Sequence, residues 1–401
     1  MITDDLVTTV RRVVFHRQTI PFTVLLIAGC LTTMTGGVVS PVFPEMVQSL
    51  DLNPQWAGTF LSIHALTSAL MTPVMGIVAD RIGKMKVMLP SLVLYSFFGI
   101  STTFLTSFPL LLASRALLGA ASGGIAAATI GLLSSMYDGE SRSRVLGYAT
   151  SAMTTSAILF PLLGGWVGNE NWRYAFYLYG AGIVLAAIAY PVFRGTRSKA
   201  SGVLPVGQGA ELRTVLKQRQ IWLIYSLIGA AATVVYAIVI YAPLYLKGAI
   251  GATPEFNGFI LAIRAVGAAI VAAVGATWFA KQLGINRAIA LGFMLMGTTL
   301  FTIPFLTQVP LIVAAAILFG IGFGTITPNL YNLLAGHTPA NLRASVLGLG
   351  TGFNSLGQFV CPLLLGPVWK VAGLPMVFVV ATGVAAIASI LSLTQTPKAK
   401  L

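Results

Sequence analysis

Long apolar runs broken at short intervals by charge constrain this chain more than any other feature. Residues 64–79 contain no Lys, Arg, Asp or Glu, and neither do residues 87–114. The stretch 76–88, which joins them, reads as a tight charged turn carrying Asp80, Arg81, Lys84 and Lys86. Runs of about twenty apolar residues cross roughly 30 Å of hydrocarbon as helices. A closed barrel would instead show alternating segments of about ten residues. Charged residues make up 8% of the 401, against about a quarter in soluble domains. Lipid is therefore the solvent, and backbone polar groups have to be satisfied within helices.

The pattern predicts an all-α membrane protein with twelve transmembrane helices, at about 20–44, 55–79, 86–107, 109–134, 144–168, 173–194, 221–246, 256–280, 287–307, 310–334, 344–368 and 373–395. All of the 24 Lys and Arg residues except Arg115, Arg173, Lys247, Arg264 and Lys370 fall on one side of that arrangement. The positive-inside rule places that basic face, and both termini, in the cytoplasm of a multi-pass protein of the plasma (inner) membrane. The net charge of +14 is spread over alternate loops, so a nucleic-acid partner is not expected. Membrane lipids are. Cys30 and Cys361 lie inside apolar runs and read as inert buried thiols.

One loop is long. Its first part, from Gly195, reads as a flexible linker, and the part from Glu211 to Arg219 reads as a short amphipathic helix on the membrane surface. It divides the chain into an N-terminal six-helix bundle (1–194), a cytoplasmic linker (195–220) and a C-terminal six-helix bundle (221–401). The halves repeat at an offset of 201. Gly83 meets Gly284, Pro109 meets Pro310, Gly119 meets Gly320, Gly123 meets Gly324 and Pro161 meets Pro362. Parallel six-helix repeats imply a rocking carrier with its site between the halves, near mid-membrane.

Gly76, Asp80, Arg81, Gly83 and Lys86 follow the spacing G-x3-D-[RK]-x-G-x-[RK]-[RK], with Met85 at one basic position and Lys84 beside it. Arg115 and Gly119 stand in the fourth span. Gly147, Pro161, Gly164 and Gly165 stand in the fifth, where Ser156 and Phe160 replace two glycines. Gly36 precedes Pro41-Val-Phe-Pro44, and Asn171-Trp-Arg173 opens the sixth span. On these motifs the chain resembles the major facilitator superfamily over essentially its whole length, and within it the drug:proton antiporter-like branch. The resemblance implies two pseudo-symmetric six-helix bundles, and a cavity lined by spans 1, 2, 4, 5, 7, 8, 10 and 11. It also implies a conformational gate at the 76–86 motif, in which Asp80 accepts hydrogen bonds from the N-terminus of the eleventh span. The fifth-span motif is associated with export.

Charge inside the membrane is the next signal. Arg115 lies about 9 Å deep by helical rise and Arg264 about 12 Å. Arg115 is a functional candidate, with snorkelling to the headgroups as the alternative. Arg264 is expected to bind an anionic solute group or to pair with Glu255 or Glu45. The cations Arg81, Lys84 and Lys86 are expected to pair with Asp138 or Glu140. None of the 10 acids maps to mid-membrane. The proton-coupling candidates are therefore His64, Arg115, Glu45 and Glu255, the imidazole because it titrates near neutral pH. Glu45 is expected to be solvated and His337 to be a surface residue. Cavity candidates are Met34, Met71, Met153, Tyr236, Tyr241, Arg264, Asn329, Asn332, Asn354 and Gln358. Asn329 with Asn332, and Asn354 with Gln358, share helix faces. Each amide could equally be helix–helix glue.

No phosphate loop, hydrolytic constellation or metal-ligand cluster is present, so neither an enzyme nor a cofactor is expected. The reading is a monomeric secondary active transporter working by alternating access, exporting a small amphiphilic or organic solute in exchange for protons. An importer of a sugar, amino acid or organic anion, proton-coupled or facilitative, stays open, as does a receptor or assembly factor that transports nothing.

Overall fold

The structure, a computed structural model, describes residues 2–137, 139–194 and 208–394. All its regular elements are helical. Helix α1 (Ile2–Gly37) runs into a 3-10 turn (Ser40–Val42) and a short helix (Phe43–Ser49) that complete its crossing. Then come α2 (Pro54–Ile82), α3 (Lys84–Ser101), α4 (Phe108–Met136), α5 (Gly139–Val167) and α6 (Tyr174–Phe193). The second half holds α7 (Arg219–Ile250), α8 (Pro254–Leu283), α9 (Ile285–Phe305) and α10 (Val309–Gly336). The helical stretch Arg343–Leu393 is divided at Gly373, where φ is 79° and ψ 173°, into α11 (343–372) and α12 (374–393). These are the twelve expected spans, most of them longer than the sequence indicates. Large apolar side chains such as Phe97, Trp166, Tyr190 and Ile390 face outward, as a lipid-solvated bundle requires.

The charged stretch 76–88 is not a loop. Helix α2 continues through Asp80 to Ile82, Gly83 alone breaks it at φ 107°, and α3 starts at Lys84. Its counterpart Gly284 breaks α8 from α9 at φ 83°. Both positions lie in a region that a side chain resists, which explains a glycine at each.

The repeat is closer than one fixed offset suggests. Asn53 caps α2 by accepting from Gln55 N at 3.0 Å, and Thr253 caps α8 by accepting from Phe256 N at 3.2 Å. Those starts are 200 residues apart, while Gly83 and Gly284 are 201 apart. The extra residue is taken up in α8 by a π-helical segment, Val271–Gly275, which holds one residue more than an α-helical turn does. Close helix packing obeys the same two offsets. A Cβ at Gly119 would lie 2.4 Å from His64 O, and one at Gly320 would lie 2.2 Å from Arg264 O. Small residues let membrane helices approach to this degree, where dispersion between helices replaces the hydrophobic effect.

The two halves meet through α2 with α11 and α5 with α8. A Cβ at Gly58 would lie 2.8 Å from Pro362 Cβ, and one at Gly258 would lie 2.4 Å from Pro161 O. One turn further out, Gly366 abuts Gln55 O and Gly165 abuts Pro254 O, at 2.2 and 2.4 Å by the same measure. All four contacts lie toward the sparsely charged face. There too Lys370 Nζ donates to Gln55 Oε1 at 3.1 Å, and Glu45 pairs with Lys247 at 3.0 Å. Among the described residues, no hydrogen bond or close glycine contact joins the halves at the basic face. The contacts named here that join the halves are thus gathered at the sparsely charged face.

The linker helix forms over Gln208–Leu216. It packs on the protein, with Val215 buried and Glu211 Oε2 accepting from Asn341 Nδ2 at 2.8 Å. Residues 195–207, the expected flexible part, lie outside the described residues.

Candidate functional site

A cavity of about 290 Å³ lies between the halves. The first half lines it with Thr32, Thr33, Gly36, His64, Ala157 and Pro161. The second contributes Val235, Tyr236, Val239, Leu261, Arg264 and Gln358. A second, apolar cleft of about 40 Å³ lies inside the second half, beside Ala316 and Phe319. It is too small for an organic solute, whose pockets run to a few hundred Å³.

His64 and Arg264 reach the cavity from equivalent places in α2 and α8, each backbone pinned by a glycine of the next crossing helix. His64 is buried, its ring against Gly36, and its Nδ1 has no hydrogen-bond partner among the described residues. Tyr236 Oη approaches Gly36 from the other half, 3.4 Å from where a Cβ would stand. Gln358 Nε2 donates to Asn354 Oδ1 at 2.7 Å, the predicted same-face pair, which orients Gln358 at the cavity wall. Of the expected cavity residues, the structure therefore brings together Tyr236, Arg264 and Gln358, with Asn354 behind.

The others stand elsewhere. Met34 is buried in the core. Tyr241 is also buried, edge-on to Trp369, with its hydroxyl at Gly58. Asn329 Nδ2 donates to Ala276 O at 3.2 Å and Thr325 O at 2.8 Å, so it joins α10 to α8. Asn332 is exposed, and Met71 and Met153 are half-buried away from the lining.

Arg115 lies inside the first bundle and not on the cavity. Its Nη1 donates to Thr35 O at 3.2 Å and to Tyr179 Oη at 2.9 Å, and Tyr179 in turn donates to Thr35 O at 2.8 Å. The guanidinium sits 4.6 Å from the Phe60 ring centre and 5.0 Å from that of Phe176, within cation–π range. At 1% exposure it does not snorkel. Glu45 is not solvated and does not reach Arg264. Its side chain is 19% exposed and pairs with Lys247. Glu255 lies in the first turn of α8, at the far end of that helix from the π segment, and pairs with no cation among the described residues.

At the 76–86 motif Asp80 is exposed, with no ion-pair partner among the described residues. A Cβ at Gly76 would meet nothing within 4 Å. Arg81 and Lys86 are exposed, whereas Lys84 is buried with its methylenes along Gly131. Glu140 pairs with Arg144 at 3.0 Å instead of with the motif's cations, being one helical turn from it. Asp138 lies outside the described residues. His337 is buried, its Nδ1 2.8 Å from Leu333 O, and so is not a surface residue. In α5, Gly164 lets α1 approach at Val38 O and Gly165 lets α8 approach at Pro254 O, while Gly147 meets nothing.

Several residues of the site carried no local signal. Thr32 and Thr33 look like ordinary helix hydroxyls, bonded to Gly29 O and Cys30 O. Asn257, buried in α8, donates to Pro41 O at 3.5 Å across the halves. Tyr179 is one tyrosine among twelve in the sequence, and only the fold places it beside Arg115.

Two six-helix halves around one central cavity define a membrane carrier. The Major Facilitator Superfamily model matches residues 25–251 and 231–401, and the chain belongs to that family. It is 24% identical over 346 residues to the quinolone resistance protein NorA of Staphylococcus aureus (strain COL), covering 84% of this chain and 86% of that one. It is 27% identical over 177 residues to multidrug resistance protein 1 of Bacillus subtilis (strain 168), covering 43% and 44%. Among solved structures it is similar to a bacterial homolog of the human lysosomal transporter Spinster, in an inward-facing and unoccupied conformation. That match has TM-score 0.78 at 17% identity and covers 94% of this chain and 96% of that one. The nucleoside transporter NupG matches at TM-score 0.77 and 14% identity, covering 93% and 98%. The protein is a secondary transporter and not an enzyme.

Proposed function

We propose that the protein exports a small amphiphilic organic solute across the cytoplasmic membrane in exchange for protons, by alternating access. One observation carries this reading. The cavity is shared by both halves, and the close glycine contacts and the ion pair that hold them together lie at the sparsely charged face. By the positive-inside rule the basic face is cytoplasmic, so the cavity is offered to solute from inside. The 1–194 and 221–401 bundles then rock about it, with 195–220 as the cytoplasmic link, both termini inside and one chain forming the whole path. Similarity to NorA and to multidrug resistance protein 1, each named for drug resistance, supports export. An imidazole on the cavity wall, its Nδ1 without a hydrogen-bond partner among the described residues, supports proton exchange, because His64 is the one lining side chain that can both take up and release a proton. The exposed Asp80 is the open half of a gate that closes on the N-terminus of α11, whose first N–H groups lack a side-chain cap.

A thermal-shift screen of the purified protein against a broad solute panel tests the first part, because a solute that binds only the folded chain raises its melting point. Stabilising solutes are then loaded into proteoliposomes. Efflux or counterflow that quickens under an imposed pH gradient is expected. Flux indifferent to that gradient removes the exchange with protons, and no flux of any stabilising solute removes the transporter reading.

A further inference from the structure

The two halves contribute unequal chemistry to one cavity. Three pairs of lining residues occupy equivalent positions, at offsets of 200 or 201: Gly36 with Tyr236, His64 with Arg264, and Ala157 with Gln358. The first half presents a glycine, an imidazole and an alanine. The second presents a phenol, a guanidinium and a carboxamide, whereas the first half's hydroxyls at Thr32, Thr33 and Ser40 already donate to backbone carbonyls. The floor between them is apolar, with Pro161, Val235, Val239 and Leu261.

Arg264 is the ionised member of this set. It stands ten residues into α8 from Pro254, about 15 Å along the helix and thus near the middle of a bilayer about 30 Å thick. A guanidinium stays protonated at any ordinary pH. Held away from water without a counter-charge it costs several kcal/mol. The described residues offer it none. Arg264 makes no hydrogen bond or ion pair with the described residues, and its Nε is both inaccessible to solvent and unpartnered. No Asp or Glu lines the cavity. Of the acids nearest in height, Glu45 is taken by Lys247, and Glu255 lies nine residues back along α8, about 13 Å away by rise. Arg115 shows what a structural buried arginine looks like here, with two hydrogen-bonded oxygens and aromatic faces around it. Arg264 has none of these.

We infer that the solute carries an oxyanion, a carboxylate or sulfonate on an apolar body, and that this group pairs with Arg264 while Tyr236 Oη and Gln358 donate to it. The inference rests on the central cavity being the solute site and narrows the solute class: an organic anion, and not the cationic amphiphile that a carboxylate-lined cavity would select. Charge decides this, because a cation brought to the same wall meets an unneutralised guanidinium in a low-dielectric site and is repelled.

The test uses the full chain, purified in lipid nanodiscs, and three probes of one shape: 1-naphthoate, 1-naphthylmethanol and 1-naphthylmethylamine. The anion is expected to bind at least tenfold more tightly than the amine, with the alcohol between them. Arg264→Gln is expected to weaken naphthoate binding tenfold or more while leaving the alcohol within about twofold. Arg264→Lys, which keeps the charge, is expected to retain most of the naphthoate affinity and serves as the check that Arg264→Gln has not acted by unfolding. Preference for the amine, or naphthoate affinity unchanged in Arg264→Gln, overturns the inference. Proteoliposome flux of the same probes separates it from the transporter reading. Amine flux without naphthoate flux removes the anion and keeps the carrier. Naphthoate bound through Arg264 but never moved keeps the anion site and removes the carrier.

Discussion

His64 and Arg264 stand at equivalent positions, 200 residues apart, and both line the cavity between the halves. A glycine of the adjoining helix packs on the carbonyl of each, Gly119 on His64 and Gly320 on Arg264. One position of an ancestral repeat thus carries the titratable group in one half and the permanent charge in the other. If His64 is the group that exchanges protons, His64→Gln is expected to abolish the acceleration of flux by a pH gradient. Proteoliposomes with a matched internal buffer measure this directly. A gradient effect of wild-type size in His64→Gln would assign the proton to another group.

Glu45 and Lys247 join the halves at the sparsely charged face, at 3.0 Å and with side chains 19% and 29% exposed. Partly screened pairs of this kind contribute about 1 kcal/mol, so Glu45→Gln or Lys247→Met is expected to favour opening of that face about fivefold. The reporter is a cysteine at Ala157, on the cavity wall, in a chain whose Cys30 and Cys361 are replaced by Ser. Its labelling by an impermeant maleimide from the sparsely charged face should rise in either single variant. No further rise is expected in the double variant, because the pair is lost once. Equal labelling in all of them would show that the pair does not hold the closed face.

The glycine seals make a sharper claim. A Cβ at Gly165 or Gly366 would lie within 2.4 Å of a carbonyl oxygen of the other half, and relieving such overlap typically costs about 1–3 kcal/mol. Gly165→Ala and Gly366→Ala are expected to push the halves apart at this face and increase Ala157→Cys labelling. Gly147→Ala meets nothing within 4 Å and is expected to leave it unchanged. Closure unaffected by both seal variants would contradict the packing described.

What the sequence made legible follows from which features are local. Span number, the basic face and the turn glycines Gly83 and Gly284 are written in runs of residues that need no partner to be read. Arg264 was visible because a charge eight residues past Phe256, inside an apolar run, is anomalous by itself. The equivalence of His64 and Arg264 was hidden by one residue: offset 201 holds from Gly83 onward, and the π segment Val271–Gly275 shifts everything before it to 200. Glu45 was placed with Arg264 by depth alone, while its partner Lys247 comes from the far end of α7, a pairing that only the docking of the two halves creates. Asn329, Met34 and Tyr241 have the composition of cavity residues and the orientation of packing residues, and helical period does not separate the two.

Tyr179 links Arg115 to Thr35 and is fully buried. Tyr179→Phe removes one acceptor from a guanidinium already short of partners at Nε and Nη2. The expected cost is about 1–3 kcal/mol of stability, read as a lowered melting point in detergent. Tyr177→Phe, at an exposed site, is expected to change stability by less than about 0.5 kcal/mol. Equal melting points for the two variants would mean that Arg115 is not held by this network.

Asp80 has no ion-pair partner among the described residues in this conformation, and that determines how its removal should behave. A residue that contributes nothing to the present state cannot destabilise it when replaced, so Asp80→Asn is expected to leave the melting point within the small range typical of surface changes, about 0.5 kcal/mol. The state closed at the basic face should lose an anion at the N-terminus of α11, an interaction of about 0.3–1 kcal/mol at an exposed helix end and up to about 2 kcal/mol when partly buried. The two effects together shift the population toward the conformation seen here. Flux should fall several-fold, while Ala157→Cys labelling from the basic face should rise. Wild-type flux in Asp80→Asn would remove the gate from Asp80 and leave the 76–86 motif with its basic side chains and its turn at Gly83.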